Sequence, residues 1–160
     1  MQLRGTQIVV DTVSAKRPVV SGSGTSSTYI LNETQSGSIV LLDKVGGATY
    51  TLPTAKPGIV YHFVSSANLT SGSYKITATA ATSSYVIVGN LTSQIDSLTS
   101  GSMFIAGQNG VITPQSVTLN GASTGGRIGS YITVSALSSS TWHVSGLLVG
   151  TTTQSTPFAA

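Results

Sequence analysis

The sequence predicts an all-β fold: a single-domain antiparallel β-sandwich or barrel, jelly-roll-like, with an extended N-terminal arm. Three observations carry that expectation. Serine and threonine make up roughly three in ten of the 160 residues and 18 more are glycine, a composition that favours strands and turns over helices. No stretch of helical length repeats its apolar residues every 3.6 positions. Short alternating or continuous apolar runs recur instead, each bounded by Gly, Pro, Asn or Ser. At 39% hydrophobic and 7% charged, the chain has the apolar content for one core and lacks the composition of a disordered segment.

In chain order the runs place strands over 28–32, 38–42, 48–52, 59–65, 74–78, 85–88, 116–119, 128–136 and 141–145. Between the second and third, Asp43-Lys44-Val45-Gly46-Gly47 can take positive φ at its glycines and reads as a hairpin turn. Pro53 and Pro57-Gly58 bracket a polar loop before Ile59-Val60-Tyr61-His62-Phe63-Val64, whose unbroken apolar run predicts a central strand buried on both faces. Small polar residues from Leu137 to Ser140 fit a hairpin loop, after which Trp142 anchors the second half of the core. Thr51-Leu52, a Pro/Gly loop, the strand from Ile59 and Ser73-Tyr74-Lys75-Ile76 are echoed later in the chain. Thr118-Leu119, a Gly loop, the strand from Ile128 and Thr141-Trp142-His143-Val144 make the echo, which predicts two similar Greek-key halves.

The ends differ from the middle. Residues 1–27 are assigned as N-terminal arm and linker, 28–150 as the β domain and 151–160 as an extended C-terminal tail. The stretch from Ser21 to Ser27 has the Gly/Ser composition of a flexible linker. Ile8, Val9, Val10, Val19 and Val20 would be costly to leave in water. Either the arm adds a strand to a neighbouring chain, or it is the first strand of the same domain. These five residues, with Phe158 as anchor of the polar tail, are the candidate interface residues. The opening MQLRGTQIVVDTV lacks the apolar core of a secretory signal, and no run reaches the length of a membrane span, so no membrane partner is expected.

Chemistry is sparse along the chain. The net charge of +3 comes from scattered residues, with Lys16-Arg17 the one adjacent basic pair, so no nucleic-acid partner is expected. The absence of cysteine rules out disulfides, a thiol nucleophile and Cys-ligated metal. Gly121-Ala122-Ser123-Thr124-Gly125 matches a hydrolase nucleophile elbow, yet the last carboxylate, Asp96, precedes it, and His143 follows with no acid to orient it. Gly121 to Gly126 also has P-loop glycine spacing, but Arg127 and Ile128 stand where a phosphate Lys and a magnesium Ser/Thr are needed. A glycosidase pair would take half of the four carboxylates, Asp11, Glu33, Asp43 and Asp96. His62 and His143 lie in strands flanked by aromatics and read as packed or surface-strand residues. The expectation is a non-enzyme with no catalytic residues, no metal and no cofactor.

A β protein with so few charges leaves its sheet edges little guarded, which invites cover by an arm or pairing with copies of itself; a homo-oligomer, a trimer, is expected. The run GSIVLLDKVGGATYTLPTAKPGIVYHFVSSANLTSGSYKITATA, followed by VTLNGASTGGRIGSYITVSALSSSTWHVSG and the closing TPF, resembles small virion proteins of tailed bacteriophages. More narrowly, it is similar to the head decoration, or cement, proteins of phages infecting cyanobacteria and marine bacteria, over most of residues 28 to 158. The resemblance implies a β-rich, often trimeric protein, made in the bacterial host cytoplasm, that sits on the capsid exterior of the virion and clamps neighbouring copies of the phage major capsid protein. Binding only the expanded lattice would stabilise it by RT ln(1 + [L]/Kd) per site. The alternative is a receptor-binding or tail-fibre module recognising a host surface glycan, with Tyr29, Tyr50, Tyr85 and Trp142 as stacking platforms.

Overall fold

Side chains along a strand point alternately to its two faces, and in the computed structural model burial alternates along most strands. The structure describes residues 18–21, 27–78, 86–97, 101–107 and 114–159. The strands are β1 (Val19–Ser21), β2 (Thr28–Ile30), β3 (Ile39–Leu42), β4 (Gly47–Thr51), β5 (Val60–Ser65), β6 (Ser73–Thr77), β7 (Val86–Ile95), β8 (Gly101–Ala106), β9 (Ser116–Leu119), β10 (Tyr131–Ala136), β11 (Thr141–Gly150) and β12 (Phe158–Ala159). A 3-10 turn, Glu33–Gln35, follows Asn32, whose backbone N–H donates to Gln35 Oε1 at 3.0 Å.

The molecule is an all-β sandwich, as the composition predicts. A seven-stranded sheet runs in the order β1-β3-β5-β10-β11-β7-β8 and a five-stranded sheet in the order β12-β9-β6-β4-β2. Both sheets are mixed. β1, β3 and β5 are parallel neighbours in the first, and β2, β4 and β6 are parallel neighbours in the second. The chain therefore winds from one sheet to the other and back along β1 to β6, as a two-sided coil, before β9, β10 and β12 add antiparallel pairs and β7 and β11 one more parallel pair. Alternation along a strand fixes which side chains point inward but carries no information on which strand lies alongside, so the antiparallel pairing expected throughout applies to part of each sheet.

Two local expectations change for the same reason. The turn at Asp43–Gly46 joins β3 and β4, which lie in different sheets, so it is an arch across the sandwich and not a hairpin. Gly47, at φ +84°, begins β4 where a Cβ would come within 2.2 Å of the Ser73 carbonyl oxygen, so the close pairing with β6 requires glycine. The echo between the two halves holds for one crossing only: after β5 the chain crosses to β6, whereas after β10 it turns back within the same sheet. That second turn is the hairpin expected around Leu137–Ser140, with Ala136 opposite Trp142 and the Leu137 N–H donating to the Thr141 carbonyl at 2.9 Å.

The core lies between the sheets. Trp142, Tyr50, Tyr61, Tyr74 and Phe63 are its largest members, all at most 1% exposed. Tyr50 meets Phe63 edge-on from the opposite sheet at a centroid separation of 5.6 Å, and Tyr61 lies 6.4 Å from Trp142. A buried tyrosine must place its hydroxyl, and each of the three finds a backbone carbonyl: Tyr50 donates to Leu41, Tyr61 to Asn32 at 2.7 Å and Tyr74 to Lys44 at 2.6 Å. Burial pushes Tyr61 up to about 12, helped by the Glu33 charge, and Tyr74 up to about 12, helped by Asp43. Burial raises Tyr50 further, with Asp43 again adding.

Candidate docking face

The uncovered face of the seven-stranded sheet is the most distinctive surface among the described residues. None of its seven strands contains an Asp, Glu, Lys or Arg. The pairing registers align two outward rows across it. Leu41, Val64, Tyr131, Leu147, Thr92 and Met103 form one; Val19, Ile39, His62, Thr133, Ser145, Asn90 and Ile105 form the other. Met103 is 61%, Val19 58%, Tyr131 50% and Ile105 40% exposed. Ile39, Leu41, Val64 and Leu147 are half-buried beside them. Six inter-strand spacings make the sheet about 29 Å across.

This face also resolves the reading of β5. Its continuous apolar run suits a strand covered on both sides, and β5 does lie inside its sheet, with Tyr61, Phe63 and Ser65 turned into the core. Val60, His62 and Val64 on the other side are only half-buried, because among the described residues the sandwich supplies a second layer on one face alone. Among the described residues, a run apolar enough for two covers therefore meets one. The chemistry available there is apolar contact and neutral hydrogen bonding. The two histidines, on neighbouring outward rows, are the titratable side chains of the face apart from Tyr131, and His62 Nδ1 lies 3.1 Å from Thr133 Oγ1.

The candidate interface residues fall in different places. Val19 stands at the β1 edge of this face, whereas Val20 turns inward and packs on the core. Ile8, Val9 and Val10 lie outside the described residues. Phe158 is an anchor within its own domain: it is half-buried against the core, in β12 opposite Val117 of β9. The preceding tail is tied down by the Ser155 N–H donating to the Ser123 carbonyl at 2.8 Å and the Thr118 N–H to that of Pro157 at 2.8 Å. Val19 is the one apolar member of the face among the candidates; sequence reasoning missed Ile39, Leu41, Val64, Met103, Ile105, Tyr131 and Leu147. The signal was present in the unbroken apolar runs, but only the strand order brings them onto one side.

The Gly-rich motif with catalytic resemblance forms a tightly hydrogen-bonded loop. Asn120 Oδ1 accepts from the backbone N–H groups of Ala122 at 2.9 Å and Thr124 at 3.1 Å, while Asn120 Nδ2 donates to Ser123 Oγ at 3.0 Å. Gly121, at φ +78°, lies where a Cβ would come within 2.2 Å of the Leu69 carbonyl oxygen. The Gly-rich segment is therefore a tight loop seated against its neighbours, with Ser123 held in a hydroxyl and amide network. Glu33 pairs with Lys56 at 2.6 Å and Asp96 with Arg127 at 3.4 Å, at separate places on the surface. Of the proposed sugar platforms, Trp142 and Tyr50 are core residues and Tyr29 stacks on Tyr50 at 5.2 Å, while Tyr85 lies outside the described residues. Burial removes Trp142 and Tyr50 from any stacking role at the surface.

Comparison with protein-family models, with curated proteins and with solved structures finds no match in any of the three.

Proposed function

We propose that the protein is a structural decoration protein of a tailed-phage head, docking on the major capsid protein through the uncharged face of the seven-stranded sheet. The observation that carries this reading is the conjunction of exposed apolar side chains with a complete lack of charge on seven adjacent strands. Binding of this kind acts by burial and shape rather than by chemistry on a substrate. Each bound copy stabilises the lattice state it recognises by mass action, and assembly as a trimer would let one particle bridge several capsid subunits.

An interface without ion pairs has no exposed charges for salt to screen. Purified protein is therefore expected to co-sediment saturably with expanded heads that lack it, to the same occupancy in dilute buffer and in molar sodium chloride. The double substitution Leu147→Lys with Met103→Lys, which leaves both core-facing rows intact, is expected to reduce occupancy at least tenfold. Thr49→Lys on the outer face of the other sheet should leave it unchanged. Binding to intact host cells but not to heads, or undiminished binding by the double variant, overturns the proposal.

A further inference from the structure

Of the five asparagines in the chain, two precede glycine: Asn109-Gly110 and Asn120-Gly121. Asn109 lies outside the described residues. An Asn-Gly pair is the dipeptide most open to cyclisation, because glycine carries no Cβ to hinder its own backbone nitrogen. That nitrogen attacks the asparagine Cγ, the Cγ–Nδ2 bond breaks and ammonia leaves. Water then opens the succinimide at either carbonyl, giving aspartate or isoaspartate with no change of oxidation state.

The loop after β9 calls for both residues of this pair. Gly121 has a positive φ and stands against the Leu69 carbonyl with no room for a Cβ. Asn120 closes the loop with both ends of its amide: Oδ1 accepts from the Ala122 and Thr124 N–H groups, and Nδ2 donates to Ser123 Oγ. Two backbone donors on one atom identify that end of the amide as the oxygen. A chemically labile dipeptide is thus the choice that satisfies this corner.

Asn120 is exposed, so burial does not shield it. Its hydrogen bonds do. The Gly121 N–H, which carries the attacking nitrogen, donates to the Gly125 carbonyl at 2.7 Å, and the Asn120 N–H donates to Thr124 Oγ1 at 2.9 Å. The C-terminal tail clasps the same loop: the Thr151 N–H donates to the Ala122 carbonyl at 3.0 Å, and Ser155 Oγ to Ser123 Oγ at 3.1 Å. Cyclisation has to break the Gly121–Gly125 bond and turn the Asn120 amide away from its partners at once, so it proceeds only through opening of the loop.

We propose that Asn120-Gly121 is a latent deamidation site, closed in the folded protein by this hydrogen-bond network and opened by unfolding. Its two products differ in consequence. An aspartate in place of Asn120 keeps an oxygen for the Ala122 and Thr124 N–H groups. An isoaspartate adds a methylene to the main chain immediately before Gly121, where the backbone already stands against Leu69, and the loop does not re-form. A chain held unfolded therefore loses its capacity to refold with time, whereas a folded chain keeps it. This assignment does not depend on the capsid reading.

The test holds the full chain in mildly alkaline buffer, either folded or unfolded in guanidinium, and follows Asn120 by peptide mass and by the separate elution of the isoaspartyl peptide. Conversion of Asn109 in guanidinium shows that the chemistry is running. Asn120 is expected to convert about tenfold or more slowly in the folded protein than in the unfolded one. After the denaturant is diluted, the refolded fraction is expected to be depleted in isoaspartate at position 120 relative to the fraction that fails to refold. Ser123→Ala with Thr124→Ala removes the side-chain partners of Asn120 and leaves both backbone donors in place. It is expected to raise the folded-state rate about threefold or more. Equal rates in the folded and unfolded protein overturn the proposal, as does a folded-state rate unchanged in the double variant. Isoaspartate equally abundant in the refolded fraction overturns the consequence drawn for refolding.

Discussion

The Tyr50 hydroxyl, on the five-stranded sheet, donates across the sandwich to the Leu41 carbonyl on the seven-stranded sheet at 3.1 Å. Leu41 turns its side chain to the uncharged outer face, so one residue joins the deepest part of the core to the surface proposed for docking.

Removing that hydroxyl with Tyr50→Phe keeps the ring contacts with Tyr29 and Phe63 and deletes one buried hydrogen bond. A net loss of about 1 kcal/mol is expected, or about 2–4 °C in the thermal midpoint. Denaturant unfolding followed by circular dichroism reads it; an unchanged midpoint would mean that the Leu41 carbonyl is fully served elsewhere.

The buried tyrosines set an alkaline limit. Tyr61 and Tyr74 are held up at about 12, against about 10 in the unfolded chain, and Tyr50 is raised as well. A raised folded-state value means that between pH 10 and 12 the folded protein holds more protons than the unfolded one. Their contribution is therefore complete below pH 10 and declines as pH rises through 12. Tyrosinate absorbance should show these hydroxyls ionising only as the fold is lost. Titration of every tyrosine near pH 10 with the fold intact would contradict this.

Gly37 and Gly47 share a φ of +84° but not an environment. A Cβ on Gly37 meets nothing within 4 Å, whereas one on Gly47 meets the Ser73 backbone at 2.2 Å. Gly37→Ala is expected to cost about 1–2 kcal/mol from backbone strain alone. Gly47→Ala should cost about 3 kcal/mol or more, because the β4–β6 pairing must open as well. Equal midpoints for the two variants in urea unfolding would show that the arch can shift freely.

The class of fold and most strand positions were legible in the sequence, since the short apolar runs at Ile39–Leu42 and Val60–Ser65 and the alternation within Tyr131–Ala136 are local signals. Partnership was not. Asp43–Gly46 has the composition of a hairpin turn and makes an arch, because turn residues specify the direction of the chain and not the sheet that receives it. β8 escaped notice because Gly101-Ser102-Met103 opens it weakly, although Met103 and Ile105 then enlarge the apolar face. That face could not be read from any one strand. Ile39, Tyr131 and Met103 lie far apart in the chain, and only the order of strands makes them neighbours.

The parallel pairing of β7 with β11 has a consequence for how quickly the molecule forms. Thr141 pairs with Val86, 55 positions earlier, whereas the early coils pair residues 20 to 26 apart. Closing the longer loop costs more chain entropy before any contact compensates for it, so the coils are expected to fold first and β11 to dock late. Leu52→Ala should then slow refolding, while Val144→Ala, buried in β11, should mainly hasten unfolding; stopped-flow measurements giving the reverse pattern would reverse the order. During synthesis the early coils can wind as they emerge, while β7 must wait for β11. Until then one side of β7 stays open, and that interval, rather than the finished surface, is when the chain is most exposed to aggregation.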